Sequence, residues 1–187
     1  MDVPQKGLIE IITDEPELYD AMQAFLKEKK SPLEHCLRLY EDGQLSLDTC
    51  YGLSMRLMEA LKERVWLKSG GYLVIQPTEA LTVIDVNTGK STTKRDVQEH
   101  YLKVNLEAAQ EIAYQLRLRN ISGIIIVDFI DMTSTEAKGQ LMDALLGYTR
   151  LDPVPVQVVD MTKLNLVELT RKKVKKSLRE QLEEKKC

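Results

Sequence analysis

The chain has 187 residues, 43% of them hydrophobic and 29% charged, an ordinary globular composition with room for one domain or two small ones. No apolar run reaches the roughly 18 residues of a membrane span, and Met1 is followed by DVPQKG rather than by a basic and then apolar leader. Cys36, Cys50 and Cys187 show no CxxC spacing and the only histidines are His35 and His100, which argues against a disulfide framework or a histidine-built zinc enzyme and for reduced thiols in the cytoplasm.

The net charge of -3 is unevenly spread. Residues 1–66 hold 8 Lys/Arg against 13 Asp/Glu, whereas residues 161–187 hold 9 against 4. A basic face of this kind can meet a polyanion although the chain as a whole is mildly acidic.

In chain order, GLIEIIT (7–13) reads as a short strand. A helix follows, with Asp14 as its cap, Pro16 in its first turn and apolar spacing at Leu18, Met22 and Phe25. SPLEHCLRLYEDG carries turn signals at both ends, and residues 53–67 look helical. The double glycine in KSGGY, before the strand YLVIQ, sets a subdomain border near residue 67. ALTVIDVN is a strand and TGKSTTKR a polar loop. The following segment is a long amphipathic helix with Val97, Tyr101, Val104, Ala108, Ile112 and Leu116 on one face, and Asp96 and Glu99 have capping-box spacing. GIIIVDF is a buried strand, a second capping box at Thr133 and Glu136 opens another helix, and VPVQVVDMT is a further strand. LVELTRKKVKKSLREQLEEKK reads as a basic terminal helix. The expected fold is therefore α/β, with a mixed, mainly parallel sheet flanked by helices and two subdomains, 1–66 and 67–187.

Strand, long helix, strand is the pattern of a crossover between neighbouring parallel strands. It brings Asp85 and Asp128 to the same edge of the sheet, where α/β folds place their ligands. Two carboxylates there repel each other, and the natural counter-charge is a hard divalent cation such as Mg²⁺. Asn87, two residues after Asp85, points to the same face and can hold that carboxylate in one rotamer. Strand-end aspartates also cap helices and close turns, so spacing alone leaves that reading open beside the metal one; Asp131 fits such a turn role. NTGKS is no P-loop, because Ile84 stands where the loop needs glycine. Lys90, Lys94, Arg95, Arg171 and Lys172 are candidate phosphate contacts, and the run TRKKVKKSLRE serves equally as a solvated helix face.

VWLKSGGYLVI, TEALTVIDVNTGK, NLEAAQEIAYQLRLRNISGIIIVDFIDM and LVELTRKK together resemble the catalytic region of the ribonuclease E/G family over residues 65–173. Residues 1–66 more weakly resemble the family's ribonuclease-H-like subdomain, and the later part its DNase-I-like subdomain. The resemblance implies a Mg²⁺ ion held by Asp85 and Asp128, with Asn87 orienting Asp85. It further implies endonucleolytic hydrolysis of single-stranded RNA to 5′-phosphate and 3′-hydroxyl ends in RNA processing. The family's S1 domain and its pocket for an RNA 5′-monophosphate find no match in residues 1–66. Cys187 matches the first ligand of the family's CPxC zinc-link, which implies Zn²⁺ and a homo-oligomer in a longer protein. The expectation is a shortened member with low activity alone. The alternative is a non-catalytic RNA-binding or assembly module that keeps the fold, which the prolines of DPVPVQ (152–157) favour.

Overall fold

Alternating burial along two apolar runs builds the centre of the molecule. Tyr72–Pro77 (β4) and Leu81–Asn87 (β5) bury every second residue, and the short connection between them forces an antiparallel pair. The computed structural model describes residues 8–89 and 97–184. The chain divides into two compact units, 1–59 and 60–187.

In the first unit, β1 (Ile11–Thr13) pairs in parallel with β2 (Leu37–Leu39) through α1 (Pro16–Glu28) and a 3₁₀ turn (Pro32–Cys36). Glu15 rather than Asp14 is the N-cap of α1, and Pro16 supplies its first turn. Ser46 caps α2 (Leu47–Tyr51) by accepting from the Thr49 N–H, and Gly52 closes that helix in the left-handed region before α3 (Leu53–Ala60).

In the second unit, six strands lie in the order β3-β4-β5-β6-β8-β7. They are completed by β3 (Arg64–Trp66), β6 (Gly123–Asp128), β7 (Val156–Met161) and β8 (Leu166–Arg171). The helix expected over 53–67 ends at Ala60, because Arg64–Trp66 pairs with Tyr72–Val74 and the Trp66 ring meets the Tyr72 ring edge-on at 5.3 Å. The terminal segment read as one basic helix is also divided. Leu166–Arg171 buries Val167, Leu169 and Arg171 at every second position and forms β8, and only Leu178–Glu184 (α6) is helical.

The α/β class and the mixed sheet are as expected, but the balance of strand directions is not. Within the six-stranded sheet only β5 and β6 pair in parallel; the other four pairings are antiparallel. The reason lies in the connections. Of the helical crossovers only that of α4 (Val97–Leu118) joins strands that lie next to each other. After α5 (Thr135–Thr149) the chain enters at the edge as β7, and the turn 162–165 sends β8 back between β7 and β6. Asn165 takes the left-handed conformation this turn needs, with φ 62°.

The core lies between one sheet face and α4 and α5. Leu73, Ile75, Ile84, Ile125, Val127, Val167 and Leu169 from the strands pack with Val104, Ile112 and Leu116 of α4 and Leu141 and Leu145 of α5. The helix α5 is capped by Ser134, one residue after the expected Thr133. The expected cap Asp96 lies outside the described residues. Among the described residues no helix is long and apolar enough to cross a membrane.

Candidate active site

Residues alternate across the sheet, so those facing away from the core share its other surface. On β5 these are Val83, Asp85 and Asn87, and on β6 they are Ile124, Ile126 and Asp128. Asp85 and Asp128 are direct register partners across the parallel pair. The crossover read from sequence thus brings the two carboxylates side by side, at the C-terminal ends of their strands.

Asn87 Nδ2 donates to Asp85 Oδ2 at 2.6 Å, which fixes the Asp85 rotamer from within the same strand. The Asp128 carboxyl is pushed above the usual aspartate range by burial first, then by the charges of Asp85 and Asp131. Neither Asp85 nor Asp128 is ion-paired with a lysine or arginine among the described residues. Two adjacent carboxylates without a counter-ion form an all-oxygen donor pair of the kind a hard divalent cation takes. No group of three or more His, Cys, Asp or Glu side chains able to hold a metal occurs among the described residues. Among the described residues, the share of a coordination shell that side chains supply would be these two.

Asp131 is tied into a short polar chain beside the pair. Its Oδ1 accepts from Asn165 Nδ2 at 3.0 Å, and Asn165 Oδ1 accepts from Lys138 Nζ at 2.7 Å. The turn role expected for Asp131 becomes a link between the loop after β6, the β7–β8 turn and α5.

Two residues of α4 hold the loops on either side of the pair, and sequence reading named neither. Asn105 is fully buried; its Nδ2 donates to the Ile130 carbonyl at 2.8 Å and its Oδ1 accepts from the Ile130 N–H at 3.0 Å. That clamps the chain just after Asp128. Two residues further on, the Glu107 carboxylate accepts from the backbone N–H groups of Lys68 and Ser69 at 2.6 and 3.1 Å. The turn it holds packs against the chain just after Asp85. A Cβ on Gly71 would stand 2.6 Å from the Asn87 carbonyl oxygen, and one on Gly89, at φ 69°, would stand 2.1 Å from the Gly70 oxygen. The signal for Asn105 was present: an asparagine beside Val104 and Ala108, on the apolar stripe of the helix.

The candidate phosphate contacts fare differently. Arg171 is 4% exposed and serves the fold. Its Nε and Nη2 donate to Asp152 at 2.8 and 3.2 Å, and its Nη1 to Asn120 Oδ1 and the Ile121 carbonyl at 2.9 and 3.2 Å. That corrects its reading as a phosphate contact. Lys172 is exposed, but it follows the end of β8 that pairs with Gly123, the end away from Asp128. Lys90, Lys94, Arg95 and Cys187 lie outside the described residues.

Residues 1–174 match the model of the Ribonuclease E/G family. The match includes the first 64 residues, where sequence reading found only a weaker resemblance. The chain is 40% identical to Ribonuclease G of Haemophilus influenzae over 92% of its own length and 35% of that relative's. It is 37% identical to Ribonuclease G of Escherichia coli over 95% of its length and 36% of the relative's. It is 51% identical to Ribonuclease E of a Nostoc species over 66% of its length and 18% of the relative's. The chain thus spans about a third or less of the length of these relatives.

Proposed function

The chain belongs to the ribonuclease E/G family, and from that premise we propose that it carries the metal-binding catalytic centre of a Mg²⁺-dependent endoribonuclease acting on single-stranded RNA. The products are 5′-phosphate and 3′-hydroxyl ends. The observation that carries this reading is the in-register pair Asp85 and Asp128, with no cationic side chain paired to either among the described residues. The relatives' names supply the RNA substrate. The family match across both compact units supports reading residues 1–66 as the ribonuclease-H-like subdomain and residues 67–187 as the DNase-I-like one.

When bound, Mg²⁺ supplies positive charge against the charge that develops on the scissile phosphate, and it lowers the pKa of water. The chain's own residues hold and orient. Asp85 and Asp128 would hold the ion, and its charge would offset their mutual repulsion. Asn87 keeps one oxygen of Asp85 engaged through its amide N–H, so the carboxylate presents a fixed face. Asn105 and Glu107 prevent the loops next to the two ligands from drifting.

The test is incubation of the chain with an end-labelled, 5′-monophosphorylated single-stranded RNA, with and without Mg²⁺, followed by analysis of the new ends. The expected result is Mg²⁺-dependent cutting that Asp128→Asn abolishes while RNA binding persists. RNA binding by the unaltered chain with no Mg²⁺-dependent cutting would favour a non-catalytic RNA-binding module.

A further inference from the structure

The opposite end of the sheet holds a concentration of positive charge. The turn leading from α4 into β6 forms one wall of a cavity of about 330 Å³, and the start of β5 and the first residues of α6 form others. Arg119 stands in that wall and is 7% exposed. Its Nε donates to Gln115 Oε1 at 2.6 Å, and Gln115 in turn donates to Glu111. Among the described residues no hydrogen bond reaches its two terminal nitrogens and no carboxylate forms an ion pair with it. A guanidinium carries five N–H donors, so four remain without a protein acceptor.

Arg119 also faces another cation. Burial first, and then the charge of Arg179 from α6, pull its pKa below the ordinary arginine value, opposed in part by Glu111. Lys173 lines the same cavity. The acids that line it are Glu79 and Glu180, and Glu180 is already engaged by the Ser177 backbone N–H at 2.6 Å and by Lys173 at 3.6 Å. Open guanidinium donors turned toward a cavity, beside a second cation, favour a bound anion there.

We propose that this cavity binds the phosphate of a nucleotide between Arg119 and Arg179, at a site separate from the Asp85–Asp128 pair. The guanidinium is the side chain whose fork of donors matches phosphate oxygens. The remaining wall includes Ile75, Pro77 and Ile121, an apolar surface suited to the ribose and base. The lining residue of β5 nearest to Asp85 is Thr82, three residues before it, so about 10 Å of strand separates the two places. The nucleotide has two sources: an internal unit of an RNA strand, or a free mononucleotide.

The experiment is calorimetric titration of the chain with three probes: inorganic phosphate, adenosine 5′-monophosphate, and a single-stranded oligoribonucleotide with a 5′-hydroxyl end. Binding of the mononucleotide is expected, weakened at least fivefold by Arg179→Gln, an exposed change that leaves the fold intact, and by Arg119→Lys. Displacement of the mononucleotide by the 5′-hydroxyl oligonucleotide identifies the RNA strand as the source; binding without displacement identifies the free nucleotide. Asp85→Asn should leave the mononucleotide affinity unchanged, so loss of the nuclease reading would not remove this one. Failure of all three probes to bind, or binding that Arg179→Gln and Arg119→Lys both leave unchanged, would overturn the proposal.

Discussion

Asp85 and Asp128 face each other across the only parallel strand pair of the six-stranded sheet, on the surface turned away from the core. Burial first, and then the charge of Asp85, raise the pKa of Asp128, and a divalent cation would relieve the repulsion within the pair. The residues around the pair determine how firmly it is held, and each gives an expected outcome.

Asn87 donates to Asp85 and would act on a bound cation through that carboxylate. Asn87→Ala should leave the fold intact by circular dichroism and weaken divalent-cation affinity by about tenfold or more, as losses of orienting partners do. Unchanged Mn²⁺ affinity in Asn87→Ala would show that Asp85 needs no such support.

Asn105 satisfies both backbone groups of Ile130 from inside the core. Asn105→Leu leaves that N–H and carbonyl without partners, at a cost of about 1–3 kcal/mol for each group left unsatisfied. Urea denaturation should show the loss, and cation affinity should fall with it, because the chain after Asp128 is no longer clamped. A neutral effect on stability would mean that water or a rearranged loop takes over both bonds.

The ion pair of Arg171 with Asp152 is buried on both sides, with side-chain exposures of 3% and 1%. Arg171→Met should destabilise the chain by about 3–5 kcal/mol, and adding Asp152→Leu should recover part of that loss. RNA affinity, measured under conditions where the variant is folded, should keep the same salt dependence. A shallower salt slope would restore Arg171 as a phosphate contact.

Glu107 gives a pH signature. Burial raises its pKa, but hydrogen bonds from Ser69 and Lys68 outweigh this and leave it below the ordinary glutamate value. The folded pKa being the lower one, its stabilisation is complete above the ordinary value and is lost as pH falls through the lowered one. The stability difference between the unaltered chain and Glu107→Gln should therefore be largest near neutral pH and vanish in acid. A difference that stays constant across that window would show that the charge of Glu107 contributes nothing.

The parts of the fold readable from sequence are those with local signals. β5 and β6 show as β-branched runs and α4 as a 3.6-residue stripe, and a strand, helix and strand in that order brings Asp85 beside Asp128. What escaped depends on distant partners. Arg64–Trp66 is a strand only because Tyr72–Val74 lies beside it, and its Trp66 resembled the last apolar position of a helix. Leu166–Arg171 looked basic and helical because Arg171 was counted as a surface charge, whereas Asp152, nineteen residues earlier, draws it into the interior. The insertion of β8 between β6 and β7 has no local mark at all. Asn105 and Glu107 were legible as polar residues on a mostly apolar helix, but their partners Ile130, Lys68 and Ser69 are set by tertiary packing.

The most direct measurement is a Mn²⁺ titration, read by electron paramagnetic resonance, of the unaltered chain, Asp85→Asn and Asp128→Asn, with Mg²⁺ as competitor. One Mn²⁺ should bind per chain, be displaced by Mg²⁺, and lose most of its affinity in either variant while both variants stay folded. Equal binding in all three proteins, or none in the unaltered chain, would contradict a cation site built on these two aspartates.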